Sequence, residues 1–323
     1  MSHYIQFTIE ERELSMVMRA QGYSLRAIAR KLNRSPSTLS REFNRNCNKY
    51  GKYSASTAEK RYRKRRKKCG RKYSLLQDSR LKDYVMANLT KCWSPEQISG
   101  RAKLNQEPFT ISYNTIYRAI YKGILPKHYR LFLRIKRIKN RKKKDNDKRG
   151  KITDGISIHE RTSDIDKRTE LGHWESDTVL GKRYTGCIGT HVERMSGFLI
   201  AFTLPNRKGN DYVRTTSELF GTLPDYVKKS FTVDNGPEFI PHKELTANTG
   251  MTVYFCDPYS PWQRGTNENT NGLLRQFFPK GSSFENITNE RLAQVVNLIN
   301  NRPRKRLGYK TPLEIFSNPL HLT

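Results

Sequence analysis

Apolar positions along the chain follow two rules, helical spacing up to about residue 130 and strand-like alternation from about residue 165. In the first stretch, Thr8-Ile9-Glu10-Glu11 has the form of a capping box and opens a helix that should stop near Gly22. Ser24 caps LRAIARKL, where Ile28, Ala29 and Leu32 share one face. NRSP makes a turn, and Ser35-Pro36 opens a further helix with Leu39 and Phe43 inward. Ser37, Thr38, Ser40, Arg41 and Asn44 take its polar positions. Two short helices across a tight turn fit a helix-turn-helix, with the second helix in a DNA major groove. A helical hairpin without a DNA role has the same apolar pattern. A similar unit follows: Ser94-Pro95-Glu96-Gln97 is another capping box, and Ser112 caps a helix closed by Gly123.

The second stretch is different. HWESDTVLG (173–181) alternates, and CIGTHVERMSGFLIAFTL (187–204) predicts two strands around a turn at Arg194 to Gly197. Residues 211–229 carry a helical pattern, 230–239 are rich in β-branched residues, and 251–255 predict a strand. A last helix spans Leu292 to Ile299, and Thr311-Pro312-Leu313-Glu314 is a capping box near the end. Strands first, then strands and helices interleaved, predict an α/β domain with a mixed β-sheet behind all-α helix-turn-helix modules.

Charge sharpens this division. The chain holds 61 Lys+Arg against 30 Asp+Glu, a net +31, and nearly all of the excess lies before residue 152. Concentrated positive charge implies a polyanion, most simply nucleic acid, bound by neutralising phosphates. Basic runs at 60–72, including Arg63, Arg65 and Arg66, and at 134–151, including Lys142 and Lys143, are expected to be tethers lying along DNA. The predicted order is a helix-turn-helix domain at 1–59, a basic linker at 60–72 and a second helical DNA-binding domain at 73–133. A basic linker at 134–164 and the α/β domain at 165–323 complete it. The five cysteines show no zinc spacing, and their odd number argues against a disulfide framework. The longest apolar run, 197–204, is far short of the roughly 18 residues of a membrane helix. No secretory signal pattern opens the chain, so a cytosolic protein that does not work on membranes is expected.

Three carboxylates stand out. Asp177 sits inside a strand pattern, where aspartate is disfavoured. Asp234 falls at a strand end before Asn235-Gly236, and Glu268 begins a helix within YSPWQRGTNENTNGLLRQFFPKG (259–281). Converging from two strands and a helix start, they would hold two magnesium ions, hard cations that prefer oxygen ligands. Such a pair suits phosphodiester chemistry, one ion helping to deprotonate water or a 3′-hydroxyl and the other stabilising the leaving oxygen. Arg264, Arg275 and Lys280 are candidate phosphate contacts. Glu175 shares a strand face with Asp177, and Glu238 lies four residues beyond Asp234; spacing alone leaves either open as the ligand.

SFTVDNGPEF followed by DPYSPWQRGTNENTNGLLRQFFPKG resembles the catalytic core of transposases of the insertion-sequence-thirty (IS-thirty) family. GHWESDTVLG resembles that family's first acidic motif, and NRPRKRLGYKTP its ending. Asp234 and Glu268 have 33 residues between them, the family's aspartate-aspartate-glutamate (DDE) spacing, and P-x-x-x-G-x-x-E at 261–268 resembles retroviral integrases. The resemblance implies a ribonuclease-H-like fold, Asp177, Asp234 and Glu268 as the metal-binding triad rather than Glu175 or Glu238, and magnesium with manganese able to substitute. It further implies double-stranded DNA as partner, both the terminal inverted repeats and the target, and a homodimer or higher homo-oligomer with circular DNA intermediates. The expected activity is strand cleavage and strand transfer. A DNA-binding repressor with an inert C-terminal half is the rival reading, and what separates the two is the acidic triad, since unneutralised carboxylates repel DNA. A ribonuclease or structure-specific nuclease of the same fold would not need two sequence-reading modules.

Overall fold

The structure, a computed structural model, describes residues 5–69, 73–134, 152 and 154–317. Lys142, Lys143 and most of the 134–164 segment lie outside the described residues. The chain divides into two compact units, residues 1–77 and 78–323.

The first unit contains α1 (Ile9–Ala20), α2 (Leu25–Lys31), α3 (Pro36–Asn46) and α4 (Ala55–Lys68), with a short α5 (Ser74–Gln77) at its end. Local chemistry sets each boundary. Thr8 and Glu11 exchange the two capping-box hydrogen bonds, and Gly22 takes a φ of 85° just past the end of α1, a conformation that costs glycine little. Ser24 and Ser35 cap α2 and α3. Ile28, Ala29, Leu39 and Phe43 form the core with Phe7. One core element is ionic: Arg12 is buried and pairs with Glu42 at 2.9 Å and Glu59 at 2.6 Å. The basic run expected to be a linker at 60–72 is helical as far as Lys68. Ala55 and Ala58 anchor α4 in the core, and lysine and arginine are good helix formers once one face is packed.

The second unit opens with α6 (Ser79–Thr90), α7 (Pro95–Leu104) and α8 (Tyr113–Tyr121), a helical module capped at Asp78, Ser94 and Ser112. Its sheet has six strands: β1 (Ile156–Ser157), β2 (His173–Leu180), β3 (Cys187–Glu193), β4 (Leu199–Leu204), β5 (Ser230–Val233) and β6 (Thr252–Phe255). They run in the order β1-β6-β5-β2-β3-β4. β2, β3 and β4 are antiparallel neighbours, whereas β2, β5, β6 and β1 are parallel, so the sheet is mixed. β1 pairs with β6 already at 156–157, ahead of the expected start at 165. The remaining helices are α9 (Ser163–Lys167), α10 (Gly209–Gly221), α11 (His242–Thr249), α12 (Gly265–Phe277), α13 (Asn289–Asn300) and α14 (Pro312–Ser317). The helix read at 211–229 ends at Gly221, and its tail becomes a 3-10 turn at Asp225–Val227.

Helices cover both faces of the sheet, and alternation along β2 sorts its side chains between them. Trp174 packs with Tyr212, Phe220 and Phe231 on the α10 side. Val179 packs with Leu273, Leu274 and Val295 on the side of α12 and α13. Glu175 and Asp177 share the face of Val179, and so look toward α12.

The helical module docks on the chain ending NRPRKRLGYKTP. Arg101 grips Glu314 with two hydrogen bonds of 2.8 and 2.6 Å, Arg302 donates to Gln97 at 2.9 Å, and Lys305 meets Glu96 at 2.7 Å. Gly100 lies so close under Tyr309 that a Cβ there would fall 2.3 Å from the ring.

Candidate active site

β2 and β5 run parallel with Glu175 opposite Thr232, and continuing that register brings Asp177 level with Asp234, the first residue beyond β5. The carboxylates of Asp177, Asp234 and Glu238 lie within 4.8 Å of one another. Asp177 accepts hydrogen bonds from its neighbour's amide at Thr178 (2.8 Å) and from Asn271 Nδ2 (3.0 Å). Asp234 accepts from the Gly236 amide at 2.9 Å. A Cβ at Gly236 would come within 2.8 Å of both Asp234 and Arg207 and 2.5 Å from Glu238, so this turn has no room for a side chain.

Arg264 bridges the two aspartates, 3.0 Å from Asp234 and 3.5 Å from Asp177, and also donates to the Ser176 carbonyl at 2.9 Å. Burial raises the Asp177 pKa; Arg264 opposes the rise, while the charges of Asp234 and Glu238 add to it. Burial works against the Arg264 charge, but the two aspartates outweigh it and hold its pKa above the ordinary arginine value.

The two competing glutamates are buried and already engaged. Glu238 is fully buried; it accepts from the Thr178 hydroxyl at 2.6 Å and Arg207 Nη2 at 2.8 Å, with Arg207 Nε 2.6 Å from its second oxygen. Glu175, equally buried, accepts the Asn267 amide at 2.8 Å, and its carbonyl accepts from Asn267 Nδ2 at 2.8 Å. Arg194 lies 3.2 Å from the same carboxylate. Glu175 therefore ties the first turn of α12 to β2. Glu268 is exposed on that turn and is not part of the three-carboxylate cluster. It follows Arg264 by four residues and precedes Asn271 by three, and both of those side chains touch Asp177, so Glu268 shares their flank of the helix. The donor oxygens are all hard, and the cluster is more negative than Arg264 and Arg207 together can neutralise. That set fits a hard divalent cation.

The expected DNA contacts take several positions. Ser37, Arg41 and Asn44 are exposed on α3, with Thr38 and Ser40 half-buried. Arg63 is exposed on α4 and paired with Glu59, and Arg65 donates to Asn46. Arg41, Arg45, Arg65 and Arg66 line one groove between α3 and α4, so the two helices share a basic surface that reading each element separately misses. Arg275 donates to the Leu180 carbonyl, and Lys280 is exposed. Arg264, read from sequence as a phosphate contact, is the counterion of the aspartates. Its spacing of three and seven residues from Asn267 and Asn271 was the available signal that all three face β2.

Comparison with known proteins places this geometry. A helix-turn-helix domain model matches residues 3–46, and an integrase core domain model matches 168–261, which takes in both aspartates and stops before Glu268. The transposase InsI for insertion sequence element IS30C of Escherichia coli K12 is 40% identical, over 98% of this chain and 84% of its own length. The chain belongs to the IS30 family of transposases. The transposase for element IS1086 of Cupriavidus metallidurans is 38% identical over 98% of this chain and 96% of its own, and that for IS4351 of Bacteroides fragilis is 35% identical over 96% and 94%. Among solved structures, the catalytic core domain of BIV integrase covers 46% of this chain and 96% of itself, at 23% identity and a TM-score of 0.36. This transposase is thus a DNA-binding, DDE-type enzyme of an insertion sequence, with a helix-turn-helix ahead of an integrase-like core. No helix among its described residues is long and apolar enough to cross a membrane.

Proposed function

We propose that this transposase reads the terminal inverted repeats of its element through α2 and α3, cuts one strand at each end, and joins the freed 3′-hydroxyl to target DNA. The observation that carries the reading is the pair Asp177 and Asp234, brought level by the parallel register of β2 and β5 with Glu268 on the adjoining flank of α12. Asp177, Asp234 and Glu268 are the proposed ligands of two magnesium ions, which manganese would replace. Bound there, the metal supplies Lewis-acid polarisation of the phosphodiester and a more acidic water or 3′-hydroxyl.

The protein's own groups prepare that site. Asn271 and the Thr178 amide fix the Asp177 carboxylate, the Gly236 amide fixes Asp234, and Glu175 fixes the helix that carries Glu268. Glu238, fully buried and paired with Arg207, supports the turn after Asp234 without access to a phosphate. The basic face of α3 and α4, the 134–151 run and the helical module supply affinity that does not depend on sequence. We place the enzyme in the bacterial cytoplasm on nucleoid DNA, acting as a homodimer or larger homo-oligomer that pairs two ends, with the helix-turn-helix, the second helical module and the catalytic domain in the order laid out from the sequence.

The test is cleavage and joining on a short duplex carrying the element's end, with magnesium present. The wild type should cut and join, while Asp177→Asn should bind the duplex equally well and do neither. An Asp177→Asn protein that cuts like the wild type would overturn the reading.

A further inference from the structure

Behind α12, on the flank away from Asn267 and Asn271, lies a polar cavity of about 140 Å³ lined by Arg168, Arg304, Arg306, Thr266 and Asn269. Its lining is strongly cationic. Among the described residues no carboxylate pairs with Arg168, Arg304 or Arg306, nor with Arg134, which reaches Asn269 at 3.0 Å. Arg304 contacts the Ile299 carbonyl at 3.3 Å, and Arg306 donates to the Met195 carbonyl at 2.7 Å. Burial, followed by the charges of Arg302, Arg306 and Arg134, pushes the Arg304 pKa down to about 9. A second observation points the same way. Thr266 lines the cavity and is only 7% exposed, yet its hydroxyl has no hydrogen-bond partner. Buried donors without partners are costly and uncommon in native proteins.

We propose that this cavity is a phosphate subsite that grips one backbone phosphate of the DNA through Arg168, Arg304, Arg306 and the Thr266 hydroxyl. A tetrahedral, singly charged anion suits a cavity lined by three guanidinium groups. It lies across α12 from Asp177, roughly one helix diameter of about 10 Å away. A strand held there is anchored beside the acidic cluster without entering it. The assignment rests on the transposase reading for the identity of the polyanion, but the binding measurement below does not depend on catalysis.

The experiment uses the full chain and two duplexes of equal length, one carrying the element's end and one unrelated, with affinity measured across a salt series. Arg306→Gln should weaken binding to both duplexes several-fold and reduce the slope of log K against log salt by about one. Thr266→Val should also weaken both, by about three- to tenfold, while its melting temperature stays level or rises because an unpaired buried hydroxyl is gone. Folded variants that keep wild-type affinity and slope would overturn the proposal. So would stabilisation of the wild type, but not of Arg306→Gln, by millimolar inorganic phosphate with the DNA slopes unchanged, since that would make the cavity a free-anion site. A wild type that binds as described but never cuts would count against the proposed function and leave the subsite standing.

Discussion

Arg264→Leu isolates the electrostatics of the acidic cluster. It removes the guanidinium that lies 3.0 Å from Asp234 and 3.5 Å from Asp177, and leaves a shape of similar bulk. At an effective dielectric of about 20, a unit pair at about 4 Å is worth roughly 4 kcal/mol. The full loss is not realised, because Asp177 has an escape: it takes up a proton. That escape caps the loss below the full pair energy. Breaking a buried pair by removing one partner typically costs about 3–5 kcal/mol, in the same range. The variant in EDTA should therefore lose about 3–4 kcal/mol of stability, and magnesium should restore most of it, stabilising the variant far more than the wild type. The assay is urea unfolding followed by tryptophan fluorescence; Trp93, Trp174 and Trp262 all lie in the second unit, so the signal reports the unit that changes. A loss under about 1 kcal/mol in EDTA, or equal stabilisation of both proteins by magnesium, would refute the reasoning.

Other consequences follow from the same kind of argument. Arg12→Ala leaves Glu42 and Glu59 without their buried cation, so hydrogen exchange of the α1 and α4 amides should speed up as expected for a loss of about 3–5 kcal/mol, with exchange of the sheet unchanged. His191 is fully buried between the Ser176 and Thr216 hydroxyls, and burial pushes its pKa down to about 3. Between about pH 6.5 and 3 the unfolded chain therefore binds a proton there that the folded one does not. Stability should fall with falling pH by about 1.4 kcal/mol per unit across that window, and His191→Gln should flatten that dependence in acid unfolding curves. Gly100→Ala drives a methyl into the Tyr309 ring, so it should loosen the helical module from the chain ending and expose the 96–104 segment to limited proteolysis, while the sheet keeps its melting behaviour.

Much of the architecture was legible because it is written in short-range chemistry. Thr8, Ser24, Ser35, Ser94 and Ser112 each cap the helix expected of them, since a hydroxyl reaching an amide three residues on needs nothing from the rest of the fold. β2, β3 and β4 follow from alternation. Asp177 stands out by breaking strand preference and Asp234 by its place at a strand end, and the parallel register of β2 and β5 sets them side by side. What escaped were long-range relations. Arg12 carries no local signal of its burial, because its partners Glu42 and Glu59 lie 30 and 47 residues away. The chain ending resembled a family signature, whereas its work in this fold is to dock the helical module through Arg302, Lys305 and Tyr309. The 60–72 run looked too charged to pack, and only the two alanines at the start of α4 reveal why it is helical that far. Glu175 and Glu238 could not be told from ligands by spacing; their engagement with Asn267 and Arg207 is a property of packing.

The most direct test compares wild type, Glu268→Gln and Glu238→Gln on an element-end duplex in magnesium, scoring strand cleavage on protein shown to bind that duplex. Glu268→Gln should bind and fail to cut, because it removes the charge with which the proposed third ligand would hold a metal. Glu238→Gln, which keeps a hydrogen-bonding group toward Thr178 and Arg207, should retain measurable cleavage. Cleavage by Glu268→Gln at the wild-type rate, with loss confined to Glu238→Gln, would contradict the triad and hand its third place to the buried glutamate.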